Sequence, residues 1–289
     1  MSIGNARTFT KLVVVTLEGQ LLVFGAGGQV TTAPIQEAIA EIAPEPQAAA
    51  IVAALLKAGS AEGYALWFGA ANESLVKAIA ARRPFAELAI FDQDAQRVER
   101  LRKSIDTAGH YGDVTAHQTS LSEVLPPPYI ANMLFVGAEA TSTVLGEENL
   151  LERLYDSVRP YGGAMVLLAD AKEIPSIRQQ VGQRSLERAQ VEAIAEGVII
   201  RRVGSLPGAG TWTHQHGDIA NTIKSDDRRV KLPLGVLWFG GVSHDDVLPR
   251  HGHGPPEQVI GGRLFIQGID TLTARDVYTG RVLWQRQFD

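Results

Sequence analysis

The sequence contains no cysteine and no long hydrophobic segment, and each absence excludes a class of structure. Without cysteine, the 289-residue chain can form no disulfide, thiolate nucleophile or cysteine metal site. Its longest apolar runs, such as Lys11–Val15 and Val198–Ile200, are far shorter than the about 20 residues that span a bilayer. Residues 1–10 are polar and lack the apolar region of a signal peptide. We therefore expect a soluble protein with no membrane span and no signal peptide, and its compartment stays open.

The sequence also has no excess of positive charge. Lysine and arginine number 27 against 32 aspartates and glutamates, which gives a net charge of -5. Strong binding to a phosphate backbone needs a basic surface, so we expect no nucleic-acid partner. The apolar fraction of 45% and the charged fraction of 20% are ordinary for a globular chain of this length, which suggests about two domains.

Composition shifts divide the chain into three stretches: residues 1–30, 31–204 and 205–289. In the first, Lys11–Gly25 reads as a β-hairpin with a turn at Glu18–Gln20. In the last, the breaker cluster Leu206–Gly210 precedes a β-rich segment. Its candidate strands are Leu234–Phe239, Arg263–Gln267 and Arg281–Trp284.

The middle stretch alternates helical and strand patterns. Helical spacing occurs in Gln47–Ala58, from Val98 to Ala108 and from Leu150 to Val158, and it leaves Arg97, Arg100 and Arg102 for solvent. The predicted strands are Tyr64–Phe68, Leu88–Phe91, Val114–His117, Met133–Val136 and Met165–Leu168. Short strands separated by helices imply parallel pairing, so we predict a three-layer α/β sandwich that binds ligands at the carboxyl ends of its strands.

A candidate nucleoside site follows the first of these strands. Gly63–Leu75 reads as an apolar strand, a tight turn of small residues at Gly69–Ala71, and a helix that Asn72 could cap. The next strand ends at Asp92, which a doubly wound sheet would bring next to that turn. A carboxylate there can accept hydrogen bonds from both hydroxyls of a ribose. Loop geometry and helix capping would explain Gly69 and Asp92 equally well.

The segment from Gly63 to Ala169 resembles the class I S-adenosylmethionine-dependent methyltransferases, which have a Rossmann-like fold. Phe68–Asn72 matches their glycine-rich first motif and Asp92 their ribose-binding acid, while Arg159–Gly163 is similar to their Pro-Gly-Gly turn after a helix. The resemblance implies that S-adenosylmethionine is the cofactor. It would lie against the side chains and backbone of Gly69, Ala70, Ala71, Asn72, Asp92, Ser120 and Leu121.

The resemblance also implies methyl transfer to an acceptor that the sequence does not identify. Glu139, after the fourth strand, is the one candidate for a catalytic base facing that acceptor. Two positions depart from the family pattern: Ala71 replaces a glycine and Ser120 replaces an acid that meets the adenine. A methyl group at Ala71 hinders close approach, and a hydroxyl binds less strongly than a carboxylate. A catalytically inactive structural or partner-binding module therefore remains an alternative.

The flanking β segments resemble quinoprotein-like (PQQ-like) β-propellers. Gly262–Ile266, Ala274–Gly280 and Arg281–Trp284 match their pattern of strand, Ala-x-Asp-x-x-Thr-Gly and strand ending in Trp. Asp276 and Thr279 can hold a tight turn there, with Gly280 supplying its unusual dihedral angle. The resemblance implies a methyltransferase-like domain inserted in part of a propeller, as in some multidomain bacterial proteins. Closure needs about four blades or more, so we expect a fragment whose sheet edges promote association.

Five of the seven histidines lie in the C-terminal stretch. Alternating pairs can place two imidazoles on one side of an extended segment, which suits a divalent metal, although loop histidines flanked by glycine and proline are common. We assign no metal site, and we expect no quinone to bind because most blades are missing. A metal- or quinone-linked oxidoreductase fragment remains a third alternative. The histidines are His214, His216, His244, His251 and His253.

Overall fold

The computed structural model describes residues 11–15, 21–25, 42–59, 61–240, 247–248 and 254–288. The chain divides into two compact units, Met1–Ala38 and Ile39–Asp289. In the first unit, β1 (Lys11–Val15) pairs antiparallel with β2 (Leu21–Gly25), and Lys11 lies opposite Gly25. The predicted hairpin is confirmed, while its turn at Glu18–Gln20 lies outside the described residues.

The second unit is built on a seven-stranded mixed sheet in the order β5-β4-β3-β6-β7-β9-β8. Strands β3 to β7 are parallel, and β9 runs antiparallel to both of its neighbours. The five predicted strands are all present, with ends shifted by two residues or fewer. The strands are β3 (Tyr64–Phe68), β4 (Glu87–Asp92), β5 (Val114–Gln118), β6 (Ala131–Val136), β7 (Ala164–Leu168), β8 (Ala189–Ile194) and β9 (Gly197–Arg202).

Helices cover both faces of this sheet, which confirms the predicted three-layer sandwich. Successive strand residues point to opposite faces, so Trp67 packs with α1, α2 and α3, whereas Phe68 packs with α4, α5 and α6. Each helix contributes an apolar stripe, such as Val98, Leu101 and Ile105 of α3. The helices are α1 (Pro46–Ala58), α2 (Glu73–Arg82), α3 (Ala95–Thr107), α4 (Ala138–Gly146), α5 (Leu150–Asp156) and α6 (Ile174–Gly182).

The strand order has a switch point beside β3. The chain proceeds from β3 outward to β4 and β5, then returns to place β6 on the other side of β3. This is the 3-2-1-4-5 order of doubly wound Rossmann-type sheets, in which the crevice beyond the carboxyl ends of the strands at the switch point is the expected ligand site. The strand order and the helices on both faces fit the predicted Rossmann-like α/β fold.

An antiparallel pair that the sequence did not predict completes the sheet. A two-residue turn joins β8 and β9, with Ile194 opposite Gly197, and the buried strand β9 then pairs with β7. Gly197 has φ +153, and a Cβ there would overlap the carbonyl oxygen of Leu167. Only glycine fits this close approach of two strands.

The C-terminal part forms a separate four-stranded antiparallel sheet in the order β10-β11-β12-β13. In the turn after β12, Asp276 Oδ1 accepts the amide of Tyr278 at 2.8 Å, Thr279 Oγ1 accepts that of Arg281 at 3.4 Å, and Gly280 has φ +71. The predicted turn chemistry is therefore present. The strands are β10 (Gln258–Ile260), β11 (Arg263–Gln267), β12 (Thr271–Asp276) and β13 (Val282–Gln287).

Two expectations for the C-terminal part change. Leu234–Phe239 is not a strand, because this exposed segment pairs with no other strand among the described residues. Those residues also contain no closed propeller: beside the seven-stranded sheet they form only one open four-stranded sheet and the separate hairpin. Trp284, which ends the blade-like sequence pattern, is 38% exposed, and its ring centre lies 6.1 Å from that of Phe265. Within the described part of the chain, no helix is long and apolar enough to cross a membrane.

A buried ion pair joins the C-terminal sheet to the α/β layers. Arg159, in the turn before β7, donates through Nε to Asp276 Oδ2, and the two side chains are 11% and 1% exposed. The Arg159 guanidinium also lies 6.0 Å from the centre of the Tyr278 ring. The two sequence motifs that carried separate resemblances therefore meet in the structure.

Candidate functional site

The turn that follows β3 is the one where the sequence predicts a nucleoside site. Gly69 has φ +75, and a Cβ there would lie 2.8 Å from the Ala140 Cβ, so glycine is required. The Asn72 side chain accepts the amide of Leu75 at 3.1 Å and caps α2, which confirms the predicted cap. The turn thus directs the amides of Ala70 and Ala71 towards the switch-point crevice.

Asp92, at the end of β4, lies beside this turn and is 3% exposed. Its Oδ2 accepts the Ala70 amide at 2.6 Å and Arg97 Nη1 at 2.7 Å. Its Oδ1 accepts the Asp94 amide at 2.8 Å and the same Arg97 nitrogen at 2.9 Å. A carboxylate offers about four acceptor positions, and all four are used within the chain. Ribose hydroxyls could bind Asp92 only by displacing Arg97.

Arg97 is the functional residue that sequence reasoning missed. It was assigned to solvent, yet its side chain is only 22% exposed and its pKa is raised, chiefly by the hydrogen bond to Asp92. Asp94 caps α3 by accepting the amides of Gln96 and Arg97, which starts the helix directly after β4. A residue in the first turn of such a helix faces the strand end. An arginine there, five positions after the carboxylate, was the available signal.

Glu139 lies at the same turn rather than only beside an acceptor. Glu139 lies in the first turn of α4, and its Oε1 accepts a hydrogen bond of 2.6 Å from the Ala71 amide. A carboxylate is favourable at a helix N-terminus and beside unpaired amides. The chain's own carboxylates, Asp92 and Glu139, thus accept the amides of both Ala70 and Ala71 in this turn.

The remaining crevice is small. It has a volume of about 130 Å³, whereas small-molecule sites usually measure about 300–1,000 Å³. Ser120 and Leu121 line its far wall, where the Ser120 hydroxyl lies 3.4 Å from that of Ser122. The structure therefore brings every predicted cofactor residue except Ala71 and Asn72 to the wall of the crevice or to a direct hydrogen bond with Asp92. Ala71 instead bonds Glu139, and Asn72 caps α2.

A larger cavity of about 450 Å³ adjoins Glu139 on its other side, between α4 and α6. Its wall is mixed, with Ser142, Lys172 and Gln180 among the polar lining residues and Leu145 and Ile177 among the apolar ones. Glu139 borders both cavities. This carboxylate stands between the nucleoside crevice and the space where the sequence placed an acceptor.

The histidines do not form a metal site in the described part of the chain. No group of three or more His, Asp or Glu side chains there could hold a metal ion. His214 and His216 belong to an exposed turn, where His214 Nδ1 lies 2.9 Å from the Thr213 hydroxyl. His244, His251 and His253 lie outside the described residues.

No protein-family model matches the chain, and no curated protein matches it. Among solved structures, a candidate S-adenosyl-L-methionine-dependent methyltransferase from Methanococcus maripaludis is similar at 13% identity and a TM-score of 0.44, covering 55% of this chain and 87% of its own. A tRNA (m1A58) methyltransferase from Aquifex aeolicus has 13% identity and a TM-score of 0.41, with 64% and 79% covered.

A third similar structure is an S-adenosylmethionine-dependent O-methyltransferase from Thermotoga maritima. It has 10% identity and a TM-score of 0.41, with 67% of this chain and 78% of its own covered. The strand order and connections carry the fold assignment, rather than these similarities.

Proposed function

We propose that this chain is a methyltransferase-like module whose nucleoside crevice is closed by its own side chains, and that it acts as a structural or partner-binding domain rather than as an enzyme. The single observation that carries the proposal is the saturation of Asp92. Its four hydrogen bonds come from Ala70, Asp94 and Arg97, so no acceptor position is free for a ribose.

Glu139 supports the same conclusion from the opposite side of the turn. An adenosine-containing cofactor approaching Gly69 would have to displace a carboxylate that already accepts the Ala71 amide. Exchanging charge-assisted hydrogen bonds for weaker ones to neutral hydroxyls gives little net binding energy. The flanking four-stranded sheet is the size of one propeller blade, which suits a domain carried on a larger β scaffold.

The second candidate is the activity that the sequence resemblance implies: S-adenosylmethionine binding and methyl transfer to an unidentified acceptor. One observation favours it, because Asp92 and Gly69 do lie together at the switch point. Cofactor contacts would then come from Gly69, Ala70, Ala71, Asn72, Asp92, Ser120 and Leu121, with Glu139 as the base facing the 450 Å³ cavity. In-line methyl transfer can rest on positioning alone when the acceptor is nucleophilic.

Isothermal titration with S-adenosylmethionine and S-adenosylhomocysteine distinguishes the two candidates. We expect no binding heat from the folded wild-type chain up to about millimolar ligand. This result would mean that the binding free energy is smaller than about 4 kcal/mol. Micromolar binding that is lost in Asp92→Asn would overturn the proposal. Arg97→Gln tests the closure directly: weak binding that appears only in this variant supports a self-occupied crevice. Arg100→Gln, an exposed arginine one turn further along α3, is the matched control.

A further inference from the structure

A second, more apolar cavity lies apart from the nucleoside crevice, on the side of the unit where the C-terminal sheet packs. Its volume of about 310 Å³ falls within the usual range of small-molecule sites. Its walls come from the α/β layers, through Tyr129 and Tyr161, and from the segment between Leu206 and Leu237. Strand β10, the turn that joins it to β11 and the loop after β12 complete them. None of its lining residues belongs to the Gly69 turn.

The wall of this cavity presents apolar side chains to solvent. Val230, Leu237 and Ile260 line it while remaining 72%, 45% and 49% exposed. The Tyr129 and Tyr278 rings form an edge-to-face pair, with centres 5.4 Å apart, in the same wall. Apolar and aromatic groups that line a concave surface gain free energy when a flat apolar molecule covers them.

Three arginines lie behind or beside the tyrosine pair. Arg229 Nη2 donates to the Tyr129 hydroxyl at 3.1 Å, Arg202 lies 5.7 Å from the centre of the Tyr129 ring, and Arg159 lies against Tyr278. Arg202 is 1% exposed, and its guanidinium lies 4.2 Å from the centre of the Tyr155 ring. A buried guanidinium contributes a positive potential that its surroundings compensate only in part.

The carboxylates near these arginines do not cancel that potential equally. Asp276 is buried and pairs closely with Arg159, but the carboxylates beside Arg202 and Arg229 are mostly exposed to solvent. Asp156 is 73% exposed and lies 3.5 Å from Arg202, while Glu187 is 53% exposed and lies 3.6 Å from Arg229. Asp227 also lines the cavity, where hydrogen bonds from the amides of Val230, Gly210 and Arg229, together with the charge of Arg229, lower its pKa. The cavity therefore combines an apolar surface with incompletely neutralised guanidinium groups.

We propose that this cavity binds a planar aromatic anion, with its ring against Tyr129 and Tyr278 and its acidic group beside Arg229. Arg229 is the arginine that lines the cavity itself. Burial raises the pKa of Tyr278 to about 12, so its phenol stays neutral and does not repel an anion. The proposal is independent of whether the nucleoside crevice is open or closed.

Two fluorescent probes with the same ring system test this proposal. 8-Anilinonaphthalene-1-sulfonate carries an anionic group, and N-phenyl-1-naphthylamine lacks it. We expect saturable binding of one anionic probe per chain, at least about fivefold tighter than the neutral probe. Added salt should weaken binding of the anion and leave that of the neutral compound unchanged. Equal affinities, or equal responses to salt, would overturn the proposal.

Three variants locate the binding. Arg229→Gln should weaken the anionic probe about fivefold without affecting the neutral one, whereas Arg228→Gln, a neighbouring arginine outside the cavity wall, should change neither. Thr211→Trp places an indole in the cavity from an exposed position and should abolish binding of both probes. Circular dichroism establishes that each variant is folded. The assignment is contradicted if either probe still binds Thr211→Trp, or if Arg229→Gln binds the anionic probe with the wild-type affinity.

Discussion

At the residue scale, two almost fully buried carboxylates, Asp92 and Asp276, are each held by one arginine. Asp92 binds Arg97 within the candidate crevice, and Asp276 binds Arg159 between the α/β layers and the C-terminal sheet. Both aspartates also accept backbone amides. Removing one partner from such a pair leaves a buried charge without compensation, which costs far more than losing an exposed pair.

The first prediction concerns Asp276→Asn. The amide oxygen can still accept the amide of Tyr278, so the turn is kept while Arg159 loses its counter-charge. We expect the free energy of unfolding to fall by about 3 kcal/mol or more in urea denaturation. The matched control is Asp113→Asn, whose carboxylate pairs with Arg83 at the surface and is 46% exposed. This change should cost about 1 kcal/mol or less. Equal losses for the two variants would contradict a structural role for the buried pair.

At the element scale, an ion pair connects the first turn of α2 to α3. Glu73 accepts hydrogen bonds from Arg100 Nε at 2.9 Å and Nη2 at 2.6 Å, and Lys77 lies 3.5 Å away. Burial alone would raise the pKa of Glu73, but the hydrogen bond and charge of Arg100, with those of Lys77, lower it below its ordinary value of 4.5.

The second prediction follows from the sign of that shift. A carboxylate with a lowered pKa in the folded state stabilises the fold above its unfolded pKa, and this contribution disappears as pH falls through the folded value. The melting temperature of the wild type should therefore drop more steeply than that of Glu73→Gln as pH falls from about 6 to about 3. Glu99→Gln, in an exposed pair with Lys103, serves as the control and should keep the wild-type slope.

The third prediction concerns the β8–β9 hairpin. Gly197→Ala forces a Cβ against the backbone of β7 at a positive φ, and we expect a loss of about 2 kcal/mol or more. Gly182→Ala, at the end of α6, meets no atom within 4 Å and should be neutral or stabilise the protein by up to about 1 kcal/mol. Chemical denaturation of both variants checks the contrast. If Gly197→Ala instead lowers the free energy of unfolding only slightly, β9 must be able to shift along β7.

At the scale of the whole molecule, elements with a strong local pattern were predictable and long-range pairings were not. Tyr64–Phe68 and Leu88–Phe91 are short apolar runs between polar turns, so strand patterns identified them. The antiparallel β9 is equally apolar, but its direction depends on a turn and on the Gly197 approach to β7, which no local pattern contains. The prediction of a strand at Leu234–Phe239 was wrong for the opposite reason: its composition suits a strand, but it pairs with no strand in the part of the chain that the structure describes.

The candidate site was likewise predictable only in part from the sequence. The sequence predicted that Gly69 and Asp92 would meet, because the doubly wound order brings these strand ends together. It did not predict that Arg97 would donate hydrogen bonds to Asp92, or that Glu139 would accept the amide of Ala71. Both depend on how the first turns of α3 and α4 face the crevice, which is a property of three-dimensional packing rather than of spacing along the chain.

The contact between Arg159 and Asp276 has one more consequence, for the integrity of the second unit after cleavage. The segment between Asp218 and Phe239 is largely exposed and pairs with no strand among the described residues, so we expect a protease to cut it readily. The nicked protein should nevertheless keep its two fragments together, because the buried charge pair and the aromatic packing still anchor the terminal sheet after the covalent connection is cut.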